Sequence, residues 1–138
     1  MRKMLTENDI IENLAYYLKS NGYVIEQKLS TNQPGIDLIA ENNSEKLYIE
    51  AKGETSALKT SNRYGNPFNR NQVKTHIGVA LLATMRVITS QPAGNRTKVG
   101  IALPDNEEQR RVISEIINAL KQLEIKIYWV TNDTITIE

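Results

Sequence analysis

The chain has 138 residues, 40% hydrophobic and 24% charged, with a formal net charge of +1, so global charge does not mark it as a polyanion binder. That length suits one domain, 1–138, with room for a real core, and the lack of cysteine excludes disulfide staples and zinc-thiolate sites while fitting a reducing cytoplasm. The longest apolar stretch, around Ile77 to Ala83, is too short to cross a bilayer, and Met1-Arg2-Lys3-Met4-Leu5 runs straight into polar residues without a signal-peptide pattern; a soluble, cytoplasmic domain with no membrane role is expected.

Thr6 reads as a helix N-cap with Asp9 three residues on, and Ile11, Leu14 and Leu18 form one stripe of a helix that should stop near Asn21-Gly22. Tyr23 to Leu29 predicts a first strand. The runs Gly35 to Glu41 and Lys46 to Lys52 alternate with period two around the polar turn Asn42-Asn43-Ser44-Glu45, the pattern of a hairpin. Its core face should carry Ile36, Leu38, Ala40, Leu47, Ile49 and Ala51. A long polar segment, Gly53 to Phe68, precedes a second helix starting near Asn69 or Asn71. That helix is apolar nearly all round from Ile77 to Ile88, which predicts burial, and Gln91 before Pro92 ends it.

Thr97 to Leu103 predicts a fourth strand, followed by Asp105 and Glu108 spaced as a capping box. Val112, Ile113, Ile116, Ile117, Leu120 and Leu123 then mark a third helix. Ile125 to Val130 predicts a fifth strand, with Asn132-Asp133 turning it into a sixth at Thr134 to Ile137. Trp129 sits in phase with Ile125 and Ile127, and it, Tyr128 and the Tyr16-Tyr17 pair are expected to pack. The order is αβββαβαβ, an α/β fold with a mixed sheet flanked by helices.

The hairpin carries the chemistry. If Glu41 pairs with Lys46, Asp37 lies directly opposite Glu50, with their Cβ atoms about 4.5–5.5 Å apart. Lys52 follows two residues along on the same face, opposite Gly35. Two carboxylates held that close repel unless a proton or a cation intervenes, and a hard divalent cation is the simplest answer. A lysine beside it could orient or help deprotonate an attacking water.

Glu-x-Lys alone is a weak signal, and Glu124-Ile125-Lys126 is a second match with no aspartate on a preceding hairpin strand. The first match has that aspartate in register. Asp37, a spacer, then Glu50-x-Lys52 resembles the PD-(D/E)xK nuclease superfamily, with Ile36 where the eponymous proline would stand. The resemblance implies a restriction-endonuclease-like αβββαβ core, here with an additional C-terminal αβ unit. It implies Mg²⁺ or Mn²⁺ held by Asp37, Glu50 and the Ala51 carbonyl, with Lys52 catalytic. Many members add an acid from the first helix; Glu7, on the sheet-facing stripe, is the candidate here, although an acid in a first helical turn is also favoured by the macrodipole. Gln72 and His76 occupy the places of the Gln-x-x-x-Tyr pattern of RecB-type and lambda-exonuclease-like nucleases, with His76 departing from it; the glutamine could hold a phosphate or the catalytic lysine, and the histidine could bind phosphate.

Between Lys52 and His76 the cations Lys52, Lys59, Arg63, Arg70 and Lys74 face the single acid Glu54. Such a patch suits phosphates, with Arg63 and Arg70 on the backbone and Tyr64 or Phe68 stacking on a base, or Phe68 anchoring the loop in the core. The expected function is therefore a metal-dependent endo- or exodeoxyribonuclease acting on DNA. The alternatives are a non-catalytic module of the same fold binding nucleic acid or a protein, and an enzyme resembling Holliday-junction resolvases. Homodimerisation would serve double-strand cutting, and partner subunits of a defence or mobile-element system are the other expected partners.

Overall fold

A computed structural model describes residues 3–30, 33–55, 67–91 and 96–138. Along these run α1 (Glu7–Ser20), β1 (Val24–Lys28), β2 (Leu38–Glu41), β3 (Lys46–Ala51), α2 (Arg70–Ser90), β4 (Thr97–Pro104), α3 (Glu107–Ser114), α4 (Ile117–Gln122), β5 (Ile125–Val130) and β6 (Ile135–Ile137). The described strands form one six-stranded sheet in sequence order. β1, β2 and β3 are antiparallel neighbours, β3, β4 and β5 run parallel, and β6 returns antiparallel beside β5. This is a mixed α/β sheet flanked by helices, in the predicted element order apart from the third helix. No described helix is long and apolar enough to cross a membrane.

α1 begins as expected: the Thr6 hydroxyl accepts the Asp9 N–H at 3.2 Å while the Asp9 carboxylate accepts the Thr6 N–H at 2.9 Å. Its buried stripe, Ile10, Ile11, Leu14 and Leu18, packs on Leu38, Ala40, Leu47 and Ile49. Asn21 caps its end, and Gly22, at φ +88°, turns the chain towards β1 where a side chain would be strained. On the other face, α2, α3 and α4 cover Val99, Ile101, Leu103, Ile127 and Trp129. Layers on both faces explain why β4 and β5 read as continuous apolar runs.

Several expectations need correction. α2 is buried only along Val73, Ile77, Ala80, Thr84 and Val87, while Val79, Leu82, Met85 and Ile88 are exposed. The described chain has no layer beyond α2 to meet its outer face. The third predicted helix is two, because the Glu115 and Ile116 N–H groups bond three residues back, to Val112 and Ile113, tightening the turn and re-aiming the chain. Leu123 ends exposed. Asn106, not Asp105, caps α3 by accepting the Gln109 N–H; Asp105 instead pairs with Arg110, which lies over the Trp129 ring. Ile36 packs against the α2-side cluster rather than with Leu38, and Tyr16 is exposed because it lies off the α1 stripe.

Candidate functional site

The turn sets the site. The Asn42 side-chain oxygen accepts the N–H groups of Ser44 and Glu45, both at 2.8 Å, and Glu41 pairs with Lys46. The ladder runs without a slip to Leu38 opposite Ile49, so the next opposed residues are Asp37 and Glu50. Gly35 lies outside this ladder, at φ +123°, so the predicted Lys52–Gly35 pairing is not formed.

Asp37 is 8% exposed, and its Oδ2 accepts the Ala51 N–H at 2.8 Å. The visible link of Ala51 to the site is thus its amide. Asp37 and Glu50 also hydrogen-bond through their side chains. Burial, then the Asp37 charge and this hydrogen bond, push the Glu50 carboxyl up to about 8. Burial raises Asp37 too, opposed by the Ala51 N–H, the Glu50 hydrogen bond and the Lys52 charge. Both carboxyls are pushed upward, so near neutrality the metal-free pair shares a proton. Lys52 is half-buried, and its charge acts on both carboxyls. Its N–H bonds the Ala102 carbonyl at 3.1 Å, extending the β3–β4 pairing just past the strand.

Glu7 stands at the start of α1, and its charge adds to the upward push on Glu50. Among the described residues no group of three or more His, Cys, Asp or Glu is arranged to hold a metal ion. Glu7 therefore neighbours the carboxylate pair without completing a three-carboxylate cage. What brings it there is Gly53: a Cβ at that position would lie 2.5 Å from the Glu7 nitrogen and 2.7 Å from the Thr6 carbonyl carbon. Glu54, 2% exposed, completes the join by accepting the Leu5 N–H at 2.9 Å and the Asn106 amide at 3.0 Å, while its carbonyl accepts the Phe68 N–H at 3.1 Å.

Sequence reasoning missed these two residues. Glu54 read as the lone acid of a basic stretch, and the only available signal was a Gly-Glu pair immediately after the strand. Its burial removes that acid from the surface.

The remaining predicted residues divide. Lys59, Arg63 and Tyr64 lie outside the described residues. Arg70 forms an ion pair with Glu108 at 2.7 Å, Gln72 accepts the Asn69 N–H at 2.9 Å as part of the α2 cap, and Lys74 is exposed. Phe68 packs in the α2-side core and meets the His76 ring edge-on at 4.5 Å. His76 has a buried Nδ1 without a hydrogen-bond partner among the described residues, and burial, then the Lys52 charge, hold it below its usual range. A neutral imidazole makes a poor phosphate clamp near pH 7.

No family model matches the chain, and no curated protein does. Among solved structures, a FdxN element excision controlling factor protein from Anabaena variabilis is similar over 94% of this chain and 95% of its own, at 17% identity and a TM-score of 0.54. At that identity the likeness concerns the fold alone.

Proposed function

We propose that this protein is a divalent-metal-dependent nuclease hydrolysing DNA phosphodiester bonds, of the PD-(D/E)xK kind that its hairpin resembles. The observation that supports the reading is the pair of buried Asp37 and half-buried Glu50 sharing a hydrogen bond, with the Lys52 charge acting on both. Two carboxyls that can coexist only by keeping a proton are a donor set that a hard cation fits, by displacing that proton. Mg²⁺ or Mn²⁺, held by Asp37, Glu50, the Ala51 carbonyl and water, would supply Lewis-acid polarisation of the phosphate and acidify the attacking water. Lys52 orients that water and offsets charge developing on the phosphate oxygens. The cations between Lys52 and His76 hold the strand by its backbone. The cysteine-free composition is consistent with a cytoplasmic setting.

The test is cleavage of linear, circular, single-stranded and branched DNAs with Mg²⁺ and Mn²⁺. Lys52→Ala should abolish cleavage, by about three orders of magnitude, with the fold retained. Metal-stimulated cleavage unchanged in a pure Lys52→Ala sample would overturn the assignment.

A second reading is a module of the same fold that binds DNA without cutting it. The Anabaena protein's name, an excision controlling factor, brings it into view. Calorimetry separates the two: DNA binding with no Mg²⁺ or Mn²⁺ binding would favour the module.

A further inference from the structure

A cleft lies at the end of the sheet opposite the carboxylate pair. Because β3, β4 and β5 are parallel, their first residues share one end, whereas Glu50 and Lys52 lie at the other. At the first end, between the finish of α1 and the α4–β5 turn, opens a cleft of about 850 Å³, within the size range of small-molecule sites.

Three features of its lining point to a ligand. Lys98, Lys121 and Lys126 line it, and none makes an ion pair with a described residue. Tyr17 and Tyr23 supply aromatic surface, with the Tyr23 hydroxyl donating to Glu45. Tyr128, only 4% exposed, also lines the cleft, although its hydroxyl makes no hydrogen bond with a described residue. Its ring fits there because Gly100 has no side chain: a Cβ would lie 2.6 Å from the Tyr128 ring.

Three acids share the lining, and two are oriented by neutral donors that leave their charge in place, so the lysines are balanced rather than in excess. Glu45 accepts from Tyr23, and Glu138 accepts the Trp129 indole N–H at 2.9 Å. The third, Glu124, is the only described non-glycine residue at positive φ, 57°, because it follows the α4 C-cap, where a helix commonly ends with one left-handed residue. It begins the Glu124-Ile125-Lys126 match that the carboxylate site leaves unused.

We propose that this cleft binds a small anionic ligand carrying a planar ring, of the nucleoside phosphate class. The three lysines take the phosphates, the tyrosine rings flank the base, and the Tyr128 hydroxyl bonds a ligand oxygen. The site is independent of the carboxylate pair and of the nuclease reading.

Isothermal titration of the full chain with ADP, AMP, adenosine and inorganic phosphate, in EDTA, tests it. ADP should bind at least about tenfold more tightly than adenosine, and Lys98→Ala/Lys126→Ala, with an unchanged circular dichroism spectrum, should weaken ADP by at least about tenfold. Tyr128→Phe, which keeps the ring, should weaken it about threefold or more. Asp37→Asn should bind ADP as the parent does. No heat with millimolar ADP, equal affinity for adenosine, or undiminished affinity in the double lysine variant would overturn the proposal.

Discussion

Asp37 and Glu50 face one another one step beyond the Leu38–Ile49 pair and hydrogen-bond side chain to side chain, with Lys52 acting on both. A hairpin end that needs a proton to hold two acids together is sensitive to anything that removes the proton or replaces it.

The first consequence concerns pH. Glu50 titrates at about 8 in the folded chain against 4.5 as an isolated group, so folding binds its proton more tightly. Its contribution to stability is complete below about 4.5 and is lost as pH rises through about 8, and Asp37 shifts in the same direction. His76, lowered, has the opposite sign, so the parent and a variant must be compared. In EDTA, urea midpoints of the parent should fall between pH 5 and 8.5, and Glu50→Gln should lose most of that fall. At pH 8.5 the variant should be the more stable by on the order of 1 kcal/mol, discounted for partial solvent screening. An equal slope in both proteins would contradict the shared proton.

Divalent metal should replace that proton. Titrating Mn²⁺ at pH 7 in buffers of different ionisation enthalpy should reveal release of about one proton per ion, and Asp37→Asn should remove the binding. Heats independent of the buffer would argue against Glu50 as a ligand.

Gly53 joins the site strand to the helix that carries Glu7. Gly53→Ala forces a methyl against the Glu7 nitrogen and Thr6 carbonyl carbon, main-chain atoms that cannot rotate aside. A loss of about 2 kcal/mol or more in denaturant unfolding is expected. An undiminished midpoint would mean that α1 does not sit where Gly53 permits.

Gln109 offers a stabilising change. It is 1% exposed, and both its side-chain amide atoms lack a hydrogen-bond partner among the described residues. Gln109→Met keeps the length and removes the unsatisfied amide, and should raise stability by about 1 kcal/mol. A fall of similar size would show that the amide is satisfied by a group such as buried water.

The hairpin is legible in the residues alone. Period-two alternation and an Asn-rich turn leave one register that puts Leu38, Ala40, Leu47 and Ile49 inward, and a one-residue slip would bury Glu50's neighbours the wrong way. α1 and β5 were legible for the same reason, since capping and alternation are written within a few residues. Hydrophobicity misled on α2, because apolar content records what a side chain prefers and says nothing of whether a second layer exists to cover it.

Contacts between distant parts of the chain carried no comparable signal. Gly53 against Thr6 and Glu7, Glu54 bridging Leu5 and Asn106, and Tyr128 set over Gly100 all join segments far apart in sequence. Local pattern specifies each element and its inward face, because those follow from backbone geometry and nearest neighbours. Which acid is buried, which helix face stays bare and where a cleft opens follow from how the elements stack, and that depends on packing summed over the whole domain.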